Sequence, residues 1–244
     1  MKSYLKQFGY AFAMLILGLC PMGLGVIFVG IIGEKYSSFI MDFSIFIGAM
    51  LCIFVMKKQF NINAQDVFKM PKPDELLLII VMSVIYTVIT ALTEYRAVLA
   101  EPSDEIYSVT DWIGTGLLAP VAEEIIFRFS MLTLLLTSAG LDKKIISFIL
   151  VSVMWAVIHF GGTLPRFIDI FIVGIILSII LTKSENIIYC MIFHSIANIT
   201  IYIISCNSTF FVDKIWLLYI SIPLFIVCMV TLVYLLDKRK IVKD

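Results

Sequence analysis

Six side chains able to do acid–base or hydrogen-bonding chemistry stand in stretches that are otherwise apolar. Glu123, Glu124 and Arg128 fall in Pro120-Val-Ala-Glu-Glu-Ile-Ile-Phe-Arg128. His159 closes Trp155-Ala-Val-Ile-His159, and His194 and Asn198 bracket His194-Ser-Ile-Ala-Asn198. The chain has no other histidine. An ionisable group in hydrocarbon costs roughly 2.5–3.5 kcal/mol on insertion scales, so three within one short string demand compensation. Glu124 and Arg128 are i and i+4 on one helix face and can pair. Glu123 is turned away by ~100° and is left to face a cavity. His194 and Asn198, also i and i+4, present polar atoms on a shared face. Taken alone, the two glutamates could simply clamp Arg128 as helix glue. With the histidines and the asparagine on nearby spans, one common polar cavity is the better expectation.

Such a set suits attack of water on an amide. A carboxylate withdrawn from bulk water is a stronger general base. A histidine beside it can orient the same water or protonate a leaving amine, and a second histidine with an asparagine offers N–H donors to an oxyanion. Glu, His and His with an open position are equally a catalytic zinc arrangement, so Glu123, His159 and His194 are also candidate metal ligands and the cofactor stays open, zinc included. Other proteolytic signatures are missing. Neither histidine starts H-E-x-x-H, and no G-x-S-x-G occurs. Asp42 and Asp169 sit near span ends, where Asp169 can pair with Arg166 three residues before it, and both are read as structural.

The elements that must carry these groups are membrane spans. Of 244 residues, 61% are hydrophobic and only 15% charged, with a mean hydropathy of +1.05. Soluble domains hold roughly 45–50% apolar and ~25% charged residues. A disordered chain, a disulfide scaffold and an ordinary soluble enzyme are thereby excluded, and zero formal net charge implies no nucleic-acid surface. The expected fold is all-α, a polytopic bundle of about eight transmembrane helices near 8–32, 36–56, 76–93, 112–140, 145–160, 167–182, 187–206 and 215–236. The first is read as a retained span. Three regions follow: 1–109 with the first three spans, 110–206 as the catalytic core, and 207–244 with the last span and a basic tail. Lys57, Lys58, Lys69, Lys72, Lys143, Lys144, Lys183 and the Lys238–Lys243 tail lie on one side, against Lys35, Arg96, Arg166 and Lys214 on the other. That bias predicts both termini cytoplasmic in a cell membrane. The loop over 94–111 is acidic. The loop over 57–72 interleaves apolar residues with lysines and is read as lying on headgroups or as an ordinary solvated loop. The five cysteines form no CxxC and are read as small buried hydrophobes.

At these residues the sequence resembles the CPBP family of multi-span membrane proteases, the CAAX-protease and bacteriocin-processing or Abi family. Its pattern is E-E-x-x-x-R, then F-x-x-x-H, then H-x-x-x-N/D, matched by Glu123-Glu124…Arg128, Trp155…His159 and His194…Asn198, over roughly 110–205. Two positions depart: Trp155 stands where phenylalanine is usual, and Phe129 follows the arginine where glycine is frequent, which would narrow the cavity or alter helix approach. The resemblance implies that Glu123 with His159 activates water, that His194 and Asn198 support the oxyanion, and that Glu124 and Arg128 organise the site. It leaves the need for a metal open. It implies an endopeptidase acting on a membrane protein or small peptide. Eukaryotic relatives cut prenylated CAAX tails, whereas the charge pattern here favours a bacterial membrane and a role in bacteriocin self-immunity or peptide processing.

Two rival functions are kept. A non-enzymatic immunity or scaffold protein would use the polar groups as glue, and a proton-coupled transporter would use them as a relay. The oligomeric state is open. Counting ~1.5 Å per residue places His159 far along the fifth span and His194 near the start of the seventh, so a shared site requires a tilted helix or a seventh span that starts deep in the membrane.

Overall fold

The computed structural model describes residues 2–98, 107–137, 141–159, 163–207, 214 and 216–241. Glu101, Asp104 and Glu105 of the acidic loop, the glycines at 161 and 162, and the tail beyond 241 lie outside the described residues. The architecture is a helical bundle with no strand among the described residues.

Among the described residues, nine longer helical elements form it. α1 (Lys2–Leu19) and α2 (Pro21–Ile32) are two halves of the first span, interrupted where Pro21 removes a backbone donor. α3 runs over Ser37–Phe60. Lys57 and Lys58 fill its last turn, where cations complement the helix dipole, and Asn61 ends it in the left-handed region at φ 54°. α4 is Pro73–Val98. α5 covers 109–137 and is described below. α6 is Leu141–Ile158, α7 is Leu164–Ser184, α8 is Ile187–Ser205 and α9 is Trp216–Ile241. Counting α1 and α2 as one gives the eight expected spans. Among the described residues, six segments are long and apolar enough to cross a bilayer: 3–32, 34–60, 73–93, 164–184, 187–205 and 216–237. α5 differs because it carries the charged string, and α6 because Asp142, Lys143 and Lys144 occupy its first turn. The chain is a multi-pass membrane protein.

α5 is the centre of the bundle and is touched by α1, α3, α6, α7 and α8. Every residue from Glu124 to Leu132 is buried, so this stretch has no lipid-facing side. Its winding is irregular: α-helical at Val109–Ile113, π-helical at Gly114–Leu118, α-helical at Ala119–Glu123, π-helical at Glu124–Leu132, and α-helical at Thr133–Thr137. The sequence gives two local reasons. Pro120 has no N–H for the preceding turn. Ser130 and Thr133 donate their hydroxyls to the carbonyls of Ile125 and Arg128, each five residues back, at 2.9 and 3.2 Å, in step with the wider turn.

The loop before α4 departs from expectation. Phe60, Ile62, Val67 and Phe68 pack against the core instead of lying on headgroups or in solvent. The Ile187 N–H donates to the Val67 carbonyl (2.9 Å), Asn186 Nδ2–H to the Lys69 carbonyl (3.0 Å), and the Lys72 N–H to the Tyr189 hydroxyl (2.8 Å). The loop therefore closes over the α7–α8 turn and seats the start of α8 inside the protein. Of the cysteines, Cys52, Cys190 and Cys228 are buried, Cys206 is half-buried and Cys20 is exposed; all are free thiols.

α1 crosses α3 at Gly18 and Gly48, where a Cβ on Gly48 would overlap the Gly18 backbone carbonyl. Backbone cannot swing aside like a side chain, so Gly48→Ala should force the helices apart. The expected cost is about 1–3 kcal/mol, read as a lower unfolding temperature in detergent. Gly30→Ala, with no atom within 4 Å of its Cβ, should leave that temperature unchanged.

Candidate functional site

A cavity of about 490 Å³ opens between α3, α4, α5, α6, α7 and α8, and Glu123, His159, His194 and Asn198 all line it. That volume is within the usual ~300–1,000 Å³ of ligand sites. Four of the six residues singled out in the sequence therefore share one space. Glu124 and Arg128 lie behind its wall, fully buried.

Glu123 projects from α5 toward α6. Its Oε2 accepts the indole N–H of Trp155 at 2.7 Å and faces His159 Nε2 at 3.4 Å. His159 Nδ1 lies 2.9 Å from the Trp155 carbonyl, one turn earlier. A carbonyl only accepts, so Nδ1 carries the hydrogen there and Nε2 is the nitrogen that exchanges a proton with Glu123. The last turn of α6 thus fixes both the ring orientation and the tautomer.

Glu124 serves a different pair. Its Oε2 stands 3.3 Å from Arg128 Nε, the i,i+4 partner, and its Oε1 is 3.0 Å from His194 Nδ1 on α8. Arg128 also reaches the Gly174 carbonyl of α7 with Nη2 at 3.5 Å, and its guanidinium lies 4.3 Å from the centre of the Trp155 ring. A guanidinium over an indole face is favourable where water is excluded. Because Glu124 accepts at His194 Nδ1, His194 Nε2 is the atom turned to the cavity, and it donates to a ligand when the ring carries both protons.

Asn198 stands one turn beyond His194. One Nδ2–H donates to the Thr115 carbonyl at 2.7 Å, at the π turn of α5, and its second N–H remains for the cavity. Thr115 in turn donates its hydroxyl to Asp42 Oδ2 at 3.0 Å. Asp42 is more than the structural residue near a span end that its position suggests. It lies on the cavity wall, close against Gly114, where a Cβ would come within 2.7 Å of its Oδ2. Arg166 and Asp169 line the same cavity, as do Tyr86, Thr87 and Tyr202. Sequence reasoning missed these as site residues. For Asp42 a signal existed: a carboxylate inside an apolar span is by default a functional candidate. Phe129 does not narrow the cavity; it is fully buried in the core away from the lining.

His159 and His194 meet although one ends its helix and the other is near the start of its own. The 61–72 loop bonds to Asn186, Ile187 and Tyr189 and covers the start of α8.

Among the described residues no three His, Cys, Asp or Glu side chains are grouped to hold an ion. The contacts to Glu124, the Trp155 carbonyl and the indole N–H engage Nδ1 of His194, Nδ1 of His159 and Oε2 of Glu123, and leave both Nε2 atoms and Oε1 on the cavity side.

Residues 105–200 match the family model described as type II CAAX prenyl endopeptidase, Rce1-like. The matched segment spans α5 to α8 and contains all six polar residues. No curated protein and no solved structure gives a significant match to the chain.

Proposed function

We propose, from the match of residues 105–200 to the type II CAAX prenyl endopeptidase, Rce1-like family model, that the chain is a CAAX-protease-like (CPBP-like) intramembrane endopeptidase that hydrolyses a peptide bond with water activated by Glu123. The observation that carries this reading is the Glu123–His159 contact inside a cavity that also holds His194 and Asn198. Glu123 takes a proton from water as the water oxygen attacks the peptide carbonyl carbon. The resulting oxyanion accepts from the free Asn198 N–H and from His194 Nε2–H. As the C–N bond breaks, His159 Nε2–H protonates the leaving amine and recovers its proton from the Glu123 carboxyl across 3.4 Å. The products are one carboxylic acid and one amine, which become carboxylate and ammonium when the acid's proton passes to the amine, and no proton is left over on Glu123.

The donors, the base and the proton shuttle come from three different helices. Glu124 and Arg128 touch no substrate; they hold His194 and the Trp155 ring. The enclosing bilayer supplies the dry surroundings that strengthen each polar contact. The lysine and arginine distribution supports a cell-membrane location with both termini cytoplasmic. Within that setting the substrate is a membrane protein or a small peptide, and a role in peptide processing or bacteriocin self-immunity fits a bacterial membrane better than maturation of prenylated tails.

The test uses purified protein in liposomes and a pool of lipid-anchored peptides that includes prenylated CAAX tails. Asn198→Ala should lower kcat by about 10²–10³, the usual cost of one oxyanion donor, with KM little changed. Equal kcat in this variant and the wild type would remove Asn198 from the oxyanion site. Products from the prenylated tails alone would replace the peptide-processing role with CAAX maturation.

A further inference from the structure

We propose that Trp155 is a positioning residue of the hydrolytic site, whose indole N–H fixes Glu123 so that Oε1 is the oxygen that deprotonates water; this rests on the Glu123 role proposed above. Two donors converge on the other oxygen. Trp155 Nε1–H lies 2.7 Å from Oε2 and His159 Nε2 lies 3.4 Å from it. Glu123 nevertheless lines the cavity, and Oε1 is the part of the carboxylate left to meet a ligand there. An indole N–H is a donor only and does not titrate. It therefore holds the carboxylate in one orientation throughout a cycle in which Glu123 and His159 exchange protons.

The rest of the ring ties this hold to the other half of the site. Its face lies under the Arg128 guanidinium at 4.3 Å. Its edge contacts are T-shaped, with the His159 ring at 5.4 Å and 72° and the His194 ring at 5.2 Å and 79°. One rigid, buried bicycle thus touches both carboxylate–histidine pairs. A phenylalanine at this position would keep the ring face and lose the N–H, so Trp155→Phe isolates the hydrogen bond from the packing. A packing role alone would show as lost stability with an unchanged chemical step.

The experiment compares wild type, Trp155→Phe and Glu123→Gln in liposomes with the lipid-anchored peptide pool. A hydrogen bond to a charged group carries enough energy for Trp155→Phe to lower kcat about ten- to a hundredfold, with KM within about twofold of wild type. Glu123→Gln should be inactive beside it. Unchanged kcat in Trp155→Phe together with an inactive Glu123→Gln overturns the positioning role and leaves the Glu123 mechanism standing. Full activity in Glu123→Gln overturns that mechanism and this inference with it. A second measurement needs no turnover. With Trp112 and Trp216 replaced by phenylalanine, Trp155 is the remaining tryptophan. The ultraviolet resonance Raman band that reports indole N–H bonding should then mark a strong hydrogen bond and shift toward a weak one on Glu123→Ala. An unmoved band contradicts the proposal.

Discussion

Replacing Glu123 by glutamine is expected to reduce peptide cleavage by about 10²–10⁴-fold, the range supplied by a positioned general base. Glutamine keeps the shape of the side chain, and its carbonyl oxygen can still accept from Trp155 Nε1–H, so insertion and folding should be preserved. What it cannot do is take a proton from water. The size of the effect separates an enzyme from a scaffold. In a non-enzymatic immunity protein the hydrogen bonds alone would matter, and Glu123→Gln would retain the cellular phenotype. The comparison requires that both proteins elute as the same monodisperse species from detergent, so that loss of product is loss of chemistry.

The second large effect is on stability. Arg128→Met should destabilise the protein by about 3–5 kcal/mol, the usual cost of leaving one member of a buried ion pair alone. Both Glu124 and Arg128 are fully buried, with side chains 0% exposed. Removing the guanidinium strands the Glu124 carboxylate beside His194, opens the space over the Trp155 ring, and takes one of two donors from the Gly174 carbonyl, leaving it the Ser178 hydroxyl. A lower unfolding temperature and a reduced monodisperse fraction measure this. Arg128→Lys should recover only part of the loss, because an ammonium restores the charge without the planar group that lies over the indole. The double variant Glu124→Gln/Arg128→Met should be more stable than Arg128→Met alone, since the stranded charge is then gone. A single Arg128→Met variant as stable as wild type would mean that this pair does not hold the bundle centre together.

Much of this arrangement can be read from residue types and spacing. The i,i+4 relation of Glu124 and Arg128 predicts their contact, and the rotation of Glu123 predicts that it faces elsewhere. The runs of apolar residues between charges locate each helix to within a few positions. Other features are carried by tertiary contact and leave little trace in a single sequence. Trp155 reads as an aromatic standing in for the usual phenylalanine, because nothing in its spacing says that the indole N–H will find a carboxylate thirty-two residues away. Asp42 belongs to a span far from the motifs, and only the packing of α3 against α5 brings it beside Thr115. The 61–72 loop reads as amphipathic and exposed, since its burial depends on Asn186, Ile187 and Tyr189 meeting it from the far side of the chain. The π turns of α5 are partly foreshadowed by Pro120, whereas the hydroxyl contacts of Ser130 and Thr133 that accompany them emerge only with the wider winding.

The most direct test of the central claim is isotope incorporation during cleavage. Purified wild type and Glu123→Gln, each in liposomes with the lipid-anchored peptide pool, are incubated in H₂¹⁸O, and the fragments are read by mass spectrometry. Wild type should yield fragments whose new C-terminal carboxylate carries one ¹⁸O, and Glu123→Gln should yield none above background. Labelled fragments formed at equal rates by both proteins, or no fragments from wild type across the whole pool, would contradict a water-activating Glu123 in this membrane-embedded site.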